Sequence, residues 1–114
     1  MARYRGLTLR ILGQGSPAMG PGKAELIERI GETGSISAAA RAMGMSYRRA
    51  WQLVEALNAA YRKPVIVTAV GGKRGGGACV TAYGRQLAAK FRAMEDKASA
   101  AIAADLKRFA RLLR

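Results

Sequence analysis

Apolar and polar residues alternate in Leu7-Thr8-Leu9-Arg10-Ile11-Leu12, which places Leu7, Leu9 and Ile11 on one face and predicts a strand. Four Gly and two Pro then make Gly13–Gly22 a loop. Pro21 and Gly22 open a helix to about Ile30 with Leu26, Ile27 and Ile30 on its buried stripe, and Gly31–Gly34 breaks it. Ser37 suits the N-cap of a short helix, Ala38–Met43, ended by Gly44. Ser46 is again an N-cap, for a helix from Tyr47 to about Tyr61 whose core stripe is Ala50, Leu53, Val54, Leu57 and Tyr61. Pro64 starts an apolar strand, Val65–Val70, and a glycine-rich tip leads to a return strand, Ala78–Thr81, completing a β-hairpin.

Thr81 caps a last helix that extends from Ala82 to about Leu113 along Leu87, Phe91, Met94, Ala98, Ile102, Leu106, Phe109 and Leu113. At about 1.5 Å per residue it would reach roughly 48 Å, longer than a small domain needs. Its far half must pack on something else, most simply a second copy of the chain. A break near Ala98–Ser99 into two packed helices is the monomeric alternative. The expected fold is mainly α with a small antiparallel β-sheet, a winged helix-turn-helix followed by a long C-terminal dimerisation helix. The DNA-binding unit would cover residues 1–81 and the dimerisation helix residues 82–114.

Composition changes this picture through charge. The 114 residues hold 20 Lys and Arg against 7 Asp and Glu, a net charge of +13, with no histidine. The excess divides almost evenly, +6 over residues 1–63 and +7 over residues 64–114, so this is no basic tail on a neutral domain. Such a balance favours a polyanion through counterion release and long-range attraction. Without histidine there is no Ser-His-Asp or Cys-His catalysis, and the single Cys79 excludes an internal disulfide and a cysteine-cluster zinc site. No apolar run is long enough for a membrane span, no signal-peptide core follows Met1, and a cytoplasmic location is expected.

The chemistry concentrates on two elements. Ala39 and Ala40 supply small residues where two helices can cross, Gly44 a turn, and Ala50, Leu53 and Val54 apolar anchors, the pattern of a helix-turn-helix. The second helix would present Ser46, Tyr47, Arg48, Arg49 and Gln52 in its first turns, with Arg48, Gln52 and Glu55 opposite the core stripe and Arg49 and Trp51 on its flanks. Arg grips guanine bidentately and Gln adenine, and the capped N-terminus suits a phosphate. The hairpin tip sets Lys73 and Arg74 between five glycines in Gly71–Gly77, so the backbone can approach another surface while the cations reach past it. It reads as a wing for phosphates or the minor groove.

Other patterns carry less. Gly13-Gln14-Gly15-Ser16-Pro17-Ala18 matches G-x-G-x-x-A, but Pro17, Gly20, Pro21 and Gly22 delay the helix that a dinucleotide site needs. Glu25, Glu28 and Glu32 recur on one helix face and read as a solvated face pairing with Arg29. Cys79 reads as a small buried apolar residue, and Asp105 as a possible partner for an Arg across a dimer. No cofactor, metal or small-molecule ligand is implied, and enzyme activity is not expected.

Three segments carry a family resemblance: Gly34-Ser35-Ile36-Ser37-Ala38-Ala39-Ala40, Met45-Ser46-Tyr47-Arg48-Arg49-Ala50-Trp51, and Thr68 to Ala78 with its glycine-rich wing. Together with Thr81-x-Tyr83-Gly84 they resemble the winged-helix domain of ModE-type molybdate-responsive regulators, over roughly Leu7 to Ile102. The first segment alone also resembles LysR-type regulators. The resemblance implies a homodimer on a two-fold symmetric operator in double-stranded DNA, with Arg48 in the basic slot of the recognition helix and Lys73 in the wing-tip slot. Arg49 falls at an unconstrained position and Arg74 is this chain's own addition. Full-length members carry C-terminal oxyanion-binding domains, and this chain stops where they would begin, as either a fragment or a stand-alone form. No residue pattern in it points to molybdate, and the resemblance leaves the effector open. Rival readings are a basic architectural or RNA-binding protein without sequence preference, and an adaptor using the last helix as a partner surface.

Overall fold

The computed structural model describes residues 6–69 and 77–114. Its elements run β1 (Ile11–Leu12), β2 (Pro17–Met19), α1 (Pro21–Thr33), α2 (Ile36–Met43), α3 (Tyr47–Ala60), β3 (Ile66–Ala69), β4 (Gly77–Val80), α4 (Ala82–Ala101) and α5 (Ala103–Ala110). The chain is mainly α with two antiparallel two-stranded sheets, β1–β2 and β3–β4.

The first sheet is smaller and placed differently from the expected strand. Only Ile11 and Leu12 of the alternating segment pair, opposite Met19 and Pro17, although Leu9 packs against the core and Leu7 is half-buried. The return strand lies inside the segment read as a loop. Pro17 can begin an edge strand and the buried Met19 anchors it, a single apolar residue that periodicity does not register.

Helix α1 passes through Gly31 and stops at Gly34, whose left-handed φ of 70° and N–H bond to the Ile30 carbonyl at 2.8 Å close the last turn. Gly31 stays helical because its open side lies against Val80 of β4, a packing gain that outweighs a helix-propensity cost of about 1 kcal/mol. The cap of α2 is Ser35 rather than Ser37: its Oγ accepts the Ala38 N–H at 3.0 Å, while Ser37 sits in the first turn and accepts from Arg41. The helix thus starts early enough to bury Ile36. Gly44, with φ 69°, turns the chain into α3, which Ser46 caps as expected by accepting the Arg49 N–H at 3.0 Å.

The core gathers Leu26, Ile27 and Ile30 of α1, Ala39 and Ala40 of α2, Ala50, Val54 and Leu57 of α3, and Val65, Ile66, Ala78 and Val80 of the hairpin. Leu53 and Tyr61 pack at its edge rather than inside it. From α4 come Ala88 and Phe91. Cys79 is a correction. The strand pairs Ala78 with Thr68 and Val80 with Ile66, turning both inward, so the two-residue period leaves Cys79 exposed.

The last helix is interrupted at Ile102 (φ −112°, ψ 17°), three residues beyond the break considered from sequence. Its near half belongs to the domain. The Arg92 guanidinium donates to both carboxylate oxygens of Glu28 on α1, at 2.9 and 2.8 Å, and to Glu95 at 2.9 Å. The Glu28 bonds above all raise the Arg92 pKa against the opposing cost of burial. Glu28 therefore ties two helices together, while Glu25 and Glu32 pair with Arg29 as expected.

The start of α4 is set by a close contact. Thr81 Oγ1 accepts the Gly84 N–H at 2.9 Å and donates to the Pro64 carbonyl at 2.7 Å. A Cβ on Gly84 would stand 2.5 Å from the Val65 carbonyl oxygen, with Val80 at 2.9 Å. Gly84→Ala is therefore expected to destabilise the fold by about 1–3 kcal/mol through backbone overlap, despite alanine's better helix propensity, as urea denaturation would measure.

Candidate nucleic-acid interface

Helices α2 and α3 cross through alanine. Ala39, Ala40 and Ala50 are essentially inaccessible, so the two backbones approach closely and α3 is held by its inner stripe. Its outer side and first turns are then free. Ser46, Tyr47, Arg48, Arg49 and Gln52 are all exposed, and the structure brings these five together on one end of one helix. The Ser46 hydroxyl is engaged as the cap. Tyr47 is 53% exposed and meets Trp51 edge to face, with ring centroids 6.2 Å apart. Trp51 packs against the core and steadies Tyr47.

The expected wing contacts, Lys73 and Arg74, lie outside the described residues. What is described is its base, where β3 and β4 pair from Ile66 with Val80 to Ala69 with Gly77. That base is fastened to α3 by Asn58, a residue the sequence reading passed over. Its Oδ1 accepts the Val65 and Ile66 N–H groups at 2.8 and 3.1 Å, and its Nδ2 donates to the Ile66 carbonyl at 2.9 Å. Three hydrogen bonds thus join the base of the hairpin to α3.

A second side chain that the sequence did not single out is Lys23. Its Nζ donates to the Pro17 carbonyl at 2.7 Å, holding it over β2. Burial lowers its pKa first, and the nearby Arg49 charge second, so two cations from α1 and α3 share one region. Neither neighbour in sequence announces this contact, which joins positions far apart in the chain. Tyr61 closes the same side of α3 by donating its hydroxyl to the Ala18 carbonyl at 2.8 Å, and burial followed by Tyr83 raises its pKa.

Most carboxylates are engaged elsewhere, while Glu55 is exposed on α3 itself. Among the described residues the ion pairs join Arg29 to Glu25 and Glu32, Arg92 to Glu28 and Glu95, and Arg108 to Asp105. Asp105 thus pairs within its own helix. Arg48, Arg49 and Lys23 face no carboxylate partner among the described residues. No helix is long and apolar enough to cross a membrane, and no cluster of metal-ligating side chains occurs among the described residues.

Element order, alanine crossing and capped outer helix define a protein of the winged helix-turn-helix class. The comparisons make this particular. The chain is 49% identical over 77 residues to the molybdenum-pterin-binding protein MopB of Rhodobacter capsulatus, covering 68% of this chain and 28% of that protein. It is 35% identical over 85 residues to the molybdenum transport protein ModE of Azotobacter vinelandii, 75% of this chain and 32% of that one. With the DNA-binding transcriptional dual regulator ModE of Escherichia coli K12 it shares 39% over 67 residues, 59% of this chain and 26% of that one. The resemblance to ModE-type regulators holds, and the chain spans less than a third of the length of each of these three relatives. No family model matches the chain.

Arg49→Gln should raise the Lys23 pKa toward the ordinary lysine value by removing the neighbouring charge, while leaving the burial contribution in place. An NMR titration of the lysine side-chain resonances measures it, and an unchanged midpoint would place the two cations apart.

Proposed function

We propose that the chain is a sequence-specific DNA-binding regulator that acts as a homodimer on a two-fold symmetric operator. The observation that carries this reading is the outer face of α3: a capped helix N-terminus with Tyr47, Arg48, Arg49 and Gln52 exposed and no carboxylate partner among the described residues for its two arginines. Cations left unpaired on a rigid element of a strongly basic protein suit a polyanion. The placement of Arg48 and Gln52 opposite the buried Ala50, Val54 and Leu57 suits base edges in the major groove. The relatives named as DNA-binding and transcriptional regulators support the same reading. Lys73 and Arg74 would contact phosphates or the minor groove from the wing. The protein binds rather than catalyses.

The dimer rests on the far end of the last helix. Helix α5 contributes no buried residue, and Phe109, Leu112 and Leu113 are 61%, 77% and 66% exposed, with Met94 of α4 at 42%. Along the predicted stripe, Phe91 is fully inside the domain, Ala98, Ile102 and Leu106 are half-buried, and the large exposed apolar residues beyond them gather at the C-terminal end. An apolar edge of this length gains most from a second copy of itself.

Arg48→Ala should cost about 1–3 kcal/mol on the selected operator and relax preference at one base position, read by titrating a selected and a scrambled duplex. Equal affinity of the unmodified protein for both duplexes would favour the architectural reading. Phe109→Asp combined with Leu113→Asp should convert a dimer into a monomer in sedimentation experiments without unfolding the core, since neither residue packs there.

A further inference from the structure

The N-terminal hairpin, α1 and α3 meet at a corner that holds three cations. Arg10 lies across Gly20, with its Nη1 3.3 Å from where a Cβ on that glycine would stand. Lys23 is three residues further on, in the first turn of α1, fastened to the Pro17 carbonyl. Arg49 is exposed in the first turn of α3, which packs against both β2 and α1, and its charge lowers the Lys23 pKa. The acids of α1 are committed to Arg29 and to Arg92 of α4, and no carboxylate among the described residues pairs with Arg10, Lys23 or Arg49.

This arrangement works against the fold. Like charges repel, a lysine in the first turn of a helix opposes the helix dipole, and no acid in that turn offsets it. The hydrogen bond to the Pro17 carbonyl holds Lys23 in place, while burial and then the Arg49 charge lower its pKa. A polyanion would reverse the sign of the charge contributions.

We infer that Arg10, Lys23 and Arg49 form a second DNA-backbone contact, beside the base-reading face of α3 and separate from the wing, that takes phosphodiester groups flanking the bases α3 reads. The inference rests on the DNA-binding reading above and extends it to residues of the hairpin and α1. With Arg49 at its near end, the corner continues the cationic surface of the recognition helix towards the N-terminus. A backbone contact of this kind positions the protein and carries no sequence information.

The test uses the full chain and a random-sequence duplex, with affinity measured against salt concentration. Lys23→Gln and Arg10→Gln should each lower the salt slope by about 0.9 and the double variant by about 1.8, because each removes one phosphate contact. Lys23→Arg should restore the slope. The ratio of selected-operator to scrambled-duplex affinity should stay at the unmodified protein's value, and the melting temperature of Lys23→Gln should not fall. A double variant with the unmodified slope would overturn the inference while leaving Arg48→Ala to decide the DNA-reading function. An unmodified protein without salt-dependent duplex binding would overturn both.

Discussion

The arrangement of the domain depends on one close approach around Val65. This buried residue follows Pro64 directly. Its N–H goes to Asn58 of α3, while its carbonyl accepts the Thr81 N–H at 3.0 Å and lies against the bare Cα of Gly84. Three elements are thereby referred to a single peptide unit: α3, the base of the hairpin and the start of α4. A side chain at Gly84 would push α4 outward, and Phe91 and Arg92 would lose their places against α1. The position of α3 follows from this junction as much as from the alanine crossing of α2 and α3.

Charge is divided as sharply as packing. Acidic groups on α1 and α4 are used inside the protein, where Glu28 and Glu95 hold a nearly buried Arg92 and bind the last helix to the domain. A buried ion pair of this kind is weak evidence for stability, but losing one partner leaves an uncompensated charge, so it fixes which face of α4 meets α1. Arg48 and Arg49 of α3, Lys23 of α1 and Arg10 have no such partners among the described residues. Part of the charge is thus neutralised at the seam between α1 and α4.

Much of the fold is legible in local chemistry. Ser46 and Thr81 cap their helices, Gly34 and Gly44 end theirs in the left-handed conformation, and Pro64 separates helix from strand. These signals act within a few residues, so sequence carries them directly. The errors share an opposite cause. Gly31 stays helical through Val80, β2 exists because Met19 finds the core, and Cys79 faces outward because Val80 and Ala78 take the inner positions. Each of those outcomes was decided by a contact distant in sequence.

The candidate site divides in the same way. Sequence by itself determined the helix pair, the exposed set Ser46, Tyr47, Arg48, Arg49 and Gln52, and the surplus of positive charge, because helical periodicity sorts residues into inner and outer faces. Only the tertiary structure decided that Lys23 stands beside Arg49, that Asn58 fastens the hairpin to α3, and that the last helix breaks at Ile102 with its apolar end uncovered. The physical reason is range. Caps, turns and periodic stripes are set by neighbours along the chain, whereas the pairing of charges and the burial of a face depend on which elements the fold brings together.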